Sequence, residues 1–398
     1  MKVIDFKKEM PFATGPILTL TKGKAHPCLR GHPWAYANEF ESIPKELEAG
    51  KCCALQDSRG RFVGHGIVNP SSKILWRRYS QSKEEPELDS RAIESRIRQA
   101  VAKRSGDSFC RLVWSDADHL PGLIVDRFGE ILVLQSVTAG IDLRLEMIAD
   151  ILQRLIQPRE IIFRCDTPVR VHEGLELKVS THSGRRLEPD WYCIDGFEYF
   201  LDLEIGQKTG FYLDQRAQHQ AVAKYAYGRS VLDVCCNQGA FSLHCARTGA
   251  SQVEALDISS KCIEATRQNA EKNGIEVAAH TANAFDFFKE NRSDHWDLII
   301  LDPPSFARNR WSVAGALRGY KELNLRAFQS LNPGGILATY SCSHHVHEEE
   351  FFKTVADAAA DARKSVQVLE WAHQPSDHPV LLNFPESQYL KGLILQIT

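Results

Sequence analysis

The sequence lacks several features that would place it among membrane, secreted or fibrous proteins. No apolar run approaches the ~20 residues that a membrane-spanning helix needs, and no low-complexity tract interrupts the chain. None of the eleven cysteines forms a C-x-x-C pair, and several lie in apolar segments such as VLDVCCNQG. We therefore expect reduced thiols, a cytoplasmic location, no disulfide framework and no membrane association.

Length and charge set the next limits. The amino terminus, MKVIDFKKEM, has no apolar segment behind its lysines, so we expect no secretory signal. The 398 residues are too many for one ordinary core and predict two or three domains. The net charge of −3 hides an asymmetry, because residues 1–80 contain thirteen lysines and arginines against seven acidic residues. A basic first domain favours a polyanionic partner such as nucleic acid, although an ordinary solvated surface would have the same composition.

The pattern of apolar residues divides the chain into three parts. Residues 1–85 contain short strands separated by glycine and proline, which is typical of a small β-barrel. Residues 86–204 begin with a linker helix and continue as a small α/β domain, whose helix LRLEMIADILQRLI is expected to bury Leu143, Met147, Ile151 and Leu155. Residues 205–398 alternate strand and helix, which predicts a parallel, doubly wound sheet with ligands at the carboxyl ends of its strands.

The segment VLDVCCNQGAF contains the turn that follows the first strand of this sheet. A dinucleotide-binding turn needs G-x-G-x-x-G, whereas only Gly239 is present here. Asp257 ends the second strand, 24 residues after Asp233, where an acid can accept hydrogen bonds from both ribose hydroxyls. An adenosine without a diphosphate indicates S-adenosylmethionine (SAM) rather than NAD, and an α/β domain without a ligand is the alternative.

The segment LDPPSFARN adds a candidate site for a base. Asp302 emerges at the end of a predicted strand, and Pro303 and Pro304 stiffen the chain behind it. A carboxylate held in this way can accept from an exocyclic amine, and Phe306 can stack on a base drawn out of its helix. A strand-ending turn with a buried phenylalanine is the alternative.

Several segments in register carry a family resemblance. They are RGHPWAY, DHLPGLIVDRFGEILVLQ, GQKTGFYLDQR, the turn at 233–241, LDPPSFARN, RGYKELN, YSCSH and DHPVLLNFPESQYLKG. Together they resemble the bacterial 23S rRNA cytosine-C5 methyltransferase family over nearly the whole chain. The resemblance implies a PUA-type RNA-binding barrel, a central α/β domain, a C-terminal class I methyltransferase domain, SAM as cofactor and large-subunit rRNA as substrate. Dimers are common in this family, so it also implies a homodimer.

The resemblance implies a nucleophile as well. A cysteine in the sixth methyltransferase motif of the family attacks the base, and Cys342 falls on it. C5 of cytosine is too weak a nucleophile to take a methyl group unaided, whereas thiolate addition at C6 makes the ring enamine-like. Asp302 would then hold N3 or the N4 amine. Many RNA cytosine methyltransferases have a second cysteine where this chain has Ser305, so the resemblance is to the single-cysteine type.

Further side chains are candidates for binding cofactor or RNA. The loop GQKTGFYLDQR is expected to close over SAM and the base, although a salt-bridged helix start would have the same composition. Asn283 stands where the family usually has an aspartate that accepts from adenine, and its amide oxygen can still accept. The candidate cofactor residues are Tyr212, Asp233, Asn237, Gly239, Ala240, Phe241, Asp257, Ile258, Asn283, Ala284, Asp302 and Pro303. The candidate substrate residues are Lys208, Arg216, Pro304, Ser305, Phe306, Arg308, Arg318, Lys321 and Trp34, with Arg77 and Arg78 adding to a basic patch around Trp34.

Rival interpretations remain open. Methyl transfer to an exocyclic amine or to guanine N7 would need no covalent intermediate, and a non-catalytic RNA-binding assembly factor could retain the same fold. A Rossmann oxidoreductase lacks its glycine spacing. A structural thiol at Cys342 is an alternative to the nucleophile. We expect no metal at His344, His345 and His347, because no metal-binding motif accompanies them and the acids that follow suit a helix amino terminus.

Overall fold

The structure is a computed structural model that describes residues 15–104, 106–206, 208–291, 295–307 and 309–398. The predicted absence of a secretory signal concerns residues outside this set. Two compact units are present. The first contains the described residues up to 188 together with 203–211 and 377–387, and the second contains 189–202, 212–376 and 388–398. Within the described part of the chain, no helix combines the length and the apolar character that crossing a bilayer requires.

Five short strands form the N-terminal sheet of the first unit. They are β1 (Leu18–Thr19), β2 (Trp34–Ala35), β3 (Cys52–Gln56), β4 (Phe62–Val68) and β5 (Trp76–Ser80). Their order is β1-β3-β4-β5-β2, with β1 parallel to β3 and the other pairs antiparallel. These short strands agree with the short strands that the sequence predicts for this region.

A second sheet follows in the same unit. Its strands are β6 (Phe109–Trp114), β7 (Leu123–Phe128), β8 (Ile131–Ser136), β9 (Glu160–Cys165) and β10 (Lys178–Thr181), in the order β10-β9-β8-β7-β6. The helices are α1 (Ser90–Lys103), α2 (Ala139–Asp142) and α3 (Leu145–Ile156). Asp89 caps α1 by accepting the N–H of Ala92 at 2.8 Å.

The buried face of α3 agrees with the predicted one except at its start. Ile151 is buried, and Met147 and Leu155 are half-buried against the same core. The side chains buried on this helix are Leu145, Ile148, Ala149, Ile151 and Leu152. Leu143 precedes the helix and is 55% exposed. The reason is tertiary, because the buried guanidinium of Arg144 donates to the carbonyls of Gly50 (3.1 Å), Leu88 (3.0 Å) and Gly140 (2.8 Å).

The two sheets of the first unit share one apolar core. Cys52, Ile67 and Tyr79 from the N-terminal sheet pack in the same cluster as Ile93 and Ile97 of α1. The N-terminal sheet is therefore fixed on the second sheet by burial of apolar surface, the main driving force of folding.

Two arginines predicted to add to an exposed basic patch are largely internal. Arg77 lies 2.7 Å from Glu173, and the side chain of Arg77 is only 12% exposed. Arg78 is buried and donates to the carbonyls of Cys28 and His32. The formal charge of the first 80 residues therefore overstates the positive charge on the surface.

The second unit contains a hairpin and a seven-stranded sheet. The hairpin is β11 (Asp190–Ile194) and β12 (Phe197–Leu201). The strands of the sheet are β13 (Ser230–Val234), β14 (Gln252–Asp257), β15 (Ala278–Thr281), β16 (Trp296–Leu301), β17 (Leu331–Ser341), β18 (Val366–His373) and β19 (Lys391–Ile397). The helices are α4 (Arg216–Ala223), α5 (Ala240–Arg247), α6 (Ser260–Lys272), α7 (Ala284–Glu290), α8 (Val313–Gln329) and α9 (Glu348–Asp361).

The strand order, β15-β14-β13-β16-β17-β19-β18, has a switch point between β13 and β16. The first five of these strands are parallel, as the alternation of strand and helix predicts. The last two, β19 and β18, are antiparallel additions at one edge. Val234 pairs with both Leu256 and Leu301, and Leu301 pairs with Thr339, so the carboxyl ends of four parallel strands lie at one edge of the sheet. In open α/β sheets this edge is where ligands bind.

Candidate active site

The turn after β13 has an unusual backbone. Cys235, Asn237 and Gly239 all have positive φ angles, of 65°, 51° and 79°. Only glycine fits the last position, since a Cβ there would lie 2.7 Å from Cγ2 of Thr266. Positive φ at non-glycine residues costs of order 1–3 kcal/mol each and concentrates at functional sites. The bulky turn predicted from the sequence therefore has a strained backbone, as is common at functional sites.

Asp233 holds this turn from inside. Its Oδ2 accepts the backbone N–H of Ser242 at 3.1 Å and the hydroxyl of Ser242 at 2.6 Å. Burial raises the pKa of Asp233 to about 7, against the opposing effect of the hydrogen bonds from Ser242. Because the side chain is completely buried, Asp233 positions the start of α5 from the interior of the sheet.

The ends of β14 and β15 fit an adenosine. Asp257 is half-buried and its carboxylate accepts the N–H groups of Asn237 (3.1 Å) and Ser259 (2.9 Å). Ile258 follows it and is 70% exposed. Phe285 is also exposed, two residues after Asn283 on the neighbouring strand end. A carboxylate for ribose hydroxyls flanked by two exposed apolar side chains suits a purine nucleoside, so these residues fit the cofactor that the sequence predicts.

Asn283 has a structural contact as well. Its Oδ1 accepts the backbone N–H of Phe285 at 2.9 Å and thereby caps α7. Ala284 is half-buried as the first residue of that helix. An amide oxygen accepts two hydrogen bonds, so this contact leaves Asn283 one acceptor position for adenine.

Asp302 follows β16 directly. Its backbone N–H donates to the carbonyl of Val234 at 3.3 Å, which keeps the two strand ends together. The side chain of Asp302 is half-buried, Pro303 is buried and Pro304 is exposed. The predicted arrangement of a carboxylate with two prolines behind it is therefore present at the switch point.

Cys342 follows β17 and is half-buried. It is the first residue of the loop 342–347 between β17 and α9, which we call the Cys342 loop. A cluster of hydroxyl groups fixes the chain on both sides of Cys342. Tyr320 Oη lies 3.0 Å from Ser341 Oγ and 2.9 Å from Ser343 Oγ. Ser305 Oγ lies 2.9 Å from Ser343 Oγ, so Ser305, a predicted substrate residue, contacts the Cys342 loop.

Removing the hydroxyl of Tyr320 is expected to loosen the Cys342 loop. In Tyr320→Phe, Ser341 and Ser343 lose their common partner, so we expect kcat for the reaction that the resemblance implies to fall by about 10-fold because the thiol is less well positioned. Steady-state kinetics would measure this. Ser330→Ala, a buried serine at the end of α8 away from the loop, is the control. Unchanged kcat in a folded Tyr320→Phe variant would show that the cluster does not position the thiol.

Tyr212 lies close to both candidate catalytic residues. Burial raises its pKa, and the charges of Asp302 and Cys342 contribute in the same direction. Next to it, Asp214 Oδ2 accepts the hydroxyl of Tyr389 at 2.7 Å, and the Tyr389 ring stacks on His344 at 5.3 Å between centroids. The structure therefore brings Tyr212, Asp302 and Cys342 into one neighbourhood.

Phe306 and Arg318 line an open groove of about 520 Å³ on the second unit. Trp311 and Phe285 line it too, and the Trp311 side chain is 95% exposed. The Phe306 ring packs against Tyr320 at 4.7 Å between centroids. The groove combines exposed aromatic surface with a cationic side chain next to the segment that bears Asp302.

Two of the remaining basic candidates are already paired with a carboxylate. Lys321 Nζ lies 2.7 Å from Asp361 Oδ2. Arg216 makes a bidentate pair with Asp195, at 2.9 and 2.5 Å. Lys208 belongs to the first unit, where its side chain is exposed. Arg308 lies outside the described residues.

Trp34 also belongs to the first unit. Its indole N–H donates to Asp116 Oδ1 at 3.0 Å, and its ring lies 4.6 Å from the centroid of Phe384. The guanidinium of Arg77 lies over the same ring at 5.6 Å. The contacts of Trp34 within the unit are thus those of a packed residue, and its side chain is only partly exposed.

The histidine-rich segment forms a helix amino terminus, as predicted. Helix α9 begins at Glu348, and Glu350 Oε2 accepts the backbone N–H of His347 at 2.9 Å. No three His, Cys, Asp or Glu side chains in the described ranges are arranged to hold a metal ion. All eleven cysteines are free thiols.

Three residues that the structure brings to this edge were not predicted from the sequence. Phe285 and Trp311 line the groove, and Lys391 donates to the carbonyls of Ser343 and Val346 in the Cys342 loop. A tryptophan beside two arginines in SFARNRW was a usable signal for the groove. Nothing in the local sequence indicates the position of Lys391.

Comparisons with known proteins agree with this architecture. Residues 18–81 match the PUA-like domain family, and residues 176–391 match the family of S-adenosylmethionine-dependent methyltransferases. The predicted fold class is confirmed, with a PUA-like domain before a methyltransferase domain. The fold and the site thus define a SAM-dependent methyltransferase.

Full-length relatives narrow this assignment. Over 395 residues the chain is 36% identical to "Ribosomal RNA large subunit methyltransferase I" of Klebsiella pneumoniae (strain 342), covering 96% of this chain and 98% of that protein. It is 38% identical to the protein of the same name from Aeromonas hydrophila subsp. hydrophila, covering 95% and 98%. The chain therefore belongs to the ribosomal RNA large subunit methyltransferase I family.

Solved structures share the fold at low sequence identity. The structure of SMU.776 in complex with SAH has a TM-score of 0.83 at 20% identity, covering 96% of this chain and all of that one. A SAM-dependent methyltransferase structure from Streptococcus mutans has a TM-score of 0.82 at 19% identity, with the same coverage. These likenesses show that the chain shares the fold of those proteins.

Proposed function

We propose that this enzyme methylates C5 of a cytosine in large-subunit ribosomal RNA through a covalent bond between Cys342 Sγ and C6 of the base. The observation that carries the proposal is the position of Cys342 directly after β17, because β17 pairs with β16, the strand that Asp302 directly follows. The names of the full-length relatives support the substrate. The single thiol assigned to catalysis, with Ser305 in place of a second cysteine, distinguishes it from two-cysteine enzymes.

The proposed reaction divides the work between Cys342 and Asp302. Bound SAM supplies a methyl group that is open to nucleophilic attack. The Cys342 thiolate adds to C6, which makes C5 nucleophilic enough to take that methyl group. Asp302 accepts a hydrogen bond from the N4 amine, or holds a proton at N3, while the ring carries extra electron density. A base or water then accepts the C5 proton, the electrons of the C5–H bond re-form the C5–C6 double bond, and the C6–S bond breaks to release the Cys342 thiolate.

The cofactor would lie at the ends of β13, β14 and β15. Asp257 is proposed to bind the ribose hydroxyls, Ile258 and Phe285 to cover the adenine faces, and Asn283 to accept from its amine. Tyr212 is proposed to lie against the cofactor. The turn that contains Asn237, Gly239, Ala240 and Phe241 would lie near the methionine part of SAM. Pro303 would contact the cofactor next to Asp302.

RNA is proposed to occupy the groove lined by Phe306, Trp311 and Arg318. Its aromatic side chains suit unstacked bases, and Arg318 suits the phosphate backbone. In the sequence, Pro304 and Ser305 connect Asp302 to Phe306, which lines this groove, and both are proposed to contact the RNA. Arg216 and Lys321 on the second unit, Lys208 and Trp34 on the first, and Arg308, which lies outside the described residues, are proposed as further RNA contacts. Of these, Arg216 and Lys321 would have to exchange an existing ion pair for phosphate.

Trp311→Ala is expected to weaken RNA binding. Stacking of a base on an aromatic side chain contributes about 1–3 kcal/mol, so KM for RNA should rise by roughly 5- to 100-fold with a smaller change in kcat. The control is Trp371→Ala, because Trp371 is also well exposed but lies on the edge strand β18. Equal effects of the two substitutions on KM would argue against an RNA-binding groove.

The proposed function is tested by methyl transfer from labelled SAM to purified large-subunit rRNA, followed by nucleoside analysis. We expect 5-methylcytidine as the product. Methylated guanine N7 or a methylated exocyclic amine would replace the C5 proposal with a non-covalent one. Binding of rRNA without any methyl transfer would favour a non-catalytic assembly factor.

Two finer properties belong to the same proposal. The enzyme is proposed to act in the cytoplasm, where free thiols such as its eleven cysteines stay reduced. The family resemblance also implies a homodimer, which sedimentation analysis of the purified chain would detect.

A further inference from the structure

Lys391 is buried beside the Cys342 loop. It opens β19, where it pairs across the antiparallel ladder with Ser341 on one side and His373 on the other. Its side chain is only 3% exposed. Lys391 therefore lies directly opposite Ser341, the residue that precedes Cys342. In sequence, Lys391 is 48 positions after Ser343.

The ammonium group of Lys391 is bound by that loop. Nζ donates to the carbonyl of Ser343 at 2.7 Å and to that of Val346 at 2.6 Å. Within the described residues, Lys391 makes no ion pair with a carboxylate at 4.0 Å or less. Two neutral carbonyls satisfy two of its three N–H donors but do not balance its charge.

A buried cation without an opposite charge is costly, so it is usually paired or neutralised. Burial lowers the pKa of Lys391 to about 8, and the charges of Cys342, Glu348 and Glu350 oppose this shift. Of these groups, Glu348 is already bonded to His373 and Gln388, at 2.7 and 2.9 Å. Cys342 is the group with the largest opposing effect, and it is neutral unless it becomes a thiolate.

We propose that Lys391 is the counter-ion of the Cys342 thiolate and a positioning residue for the loop that carries it. Its charge favours removal of the thiol proton to solvent, and its two hydrogen bonds hold the loop carbonyls in place. This proposal rests on the proposed function for the use of Cys342 as a nucleophile, but it makes a claim about the thiol that holds without RNA or SAM.

The test is alkylation of Cys342 by iodoacetamide as a function of pH, measured peptide by peptide with mass spectrometry on the intact chain. The exposed Cys193 serves as an internal reference thiol. In Lys391→Gln, which keeps a hydrogen-bond donor but loses the charge, we expect alkylation of Cys342 at pH 7 to slow by about 10-fold because the thiolate fraction falls. Lys391→Arg should stay within about threefold of the wild type, and Cys193 should react equally in all variants.

Unchanged or faster alkylation of Cys342 in a folded Lys391→Gln variant would overturn the counter-ion proposal, since a merely structural lysine would loosen the loop without lowering reactivity. If this variant does not fold, the wild type decides. Its Cys342 alkylation should reach half its maximum below pH ~8.5, the value of a free thiol, and a midpoint at or above that value overturns the proposal. Trapping with a fluorinated cytosine tests the covalent reaction separately. The experiments therefore distinguish failure of the counter-ion proposal from failure of the proposed function.

Discussion

Replacing Cys342 by serine is expected to lower kcat for cytosine methylation by a factor of about 10³ or more. A serine hydroxyl is nearly isosteric with the thiol, so the loop between Ser341 and Ser343 should keep its hydrogen bonds. It is far less acidic than a thiol, however, and no adjacent base is assigned to activate it. The measurement is single-turnover methyl transfer to rRNA with saturating SAM, which isolates the chemical step from product release.

Cys262→Ser is the matched control for this substitution. Cys262 is also half-buried and its sulfur lies 3.9 Å from Asn237 Nδ2, but it is on α6. We expect kcat within about twofold of the wild type. Substantial turnover by Cys342→Ser would exclude the covalent step and favour methyl transfer to an amine or to guanine N7.

Asp302→Asn is expected to lower kcat/KM by about 100-fold. The amide can still form a hydrogen bond, but it cannot supply the negative charge that supports a proton at N3 or a strong bond to the N4 amine. Steady-state kinetics would give kcat/KM, and calorimetry would give the affinity for SAM. We expect the SAM affinity to change by less than about fivefold, since Asp257 carries the ribose contacts in this account.

Asp297→Asn provides the comparison on the same strand. Asp297 lies near the amino end of β16, where its carboxylate accepts from the N–H and the hydroxyl of Ser230, both at 3.0 Å. Its loss should lower thermal stability and leave kcat/KM nearly unchanged. Equal losses of kcat/KM in both variants would indicate that Asp302 acts through the stability of the sheet.

The parallel core of the second unit was predictable because its signal is local. The buried strands β13 (Ser230–Val234) and β16 (Trp296–Leu301) are rich in apolar residues. Asp257 at the end of β14 and Asp302 directly after β16 are also visible in the sequence. The antiparallel edge was not predictable in this way. The direction of β18 and β19 depends on how distant segments pair, and β18 is largely exposed, so it has little apolar pattern.

Surface charge and the buried faces of helices also depend on tertiary contacts that the local sequence does not show. Counting basic residues predicts a positive first domain, yet Arg77 is paired with Glu173, nearly a hundred residues away in sequence. Periodicity places Leu143 on the buried face of α3, yet the tertiary contacts of Arg144 set a later helix start. In both cases a buried guanidinium had to find polar partners, which sequence spacing does not indicate.

The sequence predicted those site residues that lie at the ends of strands or within recognisable motifs. The hydroxyl cluster around Tyr320 and the ammonium of Lys391 could not be predicted, because each contacts the Cys342 loop through tertiary pairing. The positive φ angles at Cys235 and Asn237 were also unexpected, since neither residue type requires them. These features depend on contacts between segments that are distant in sequence.

The central claim is a transient bond between Cys342 and a cytosine. It is tested most directly by incubating the enzyme with SAM and rRNA fragments containing 5-fluorocytosine, then locating any adduct by mass spectrometry. Fluorine at C5 cannot leave as a proton does, so the account predicts a stable adduct in which the base is bonded to Cys342 and carries the methyl group. Methyl transfer to the RNA with no adduct, or an adduct on another residue, would contradict it.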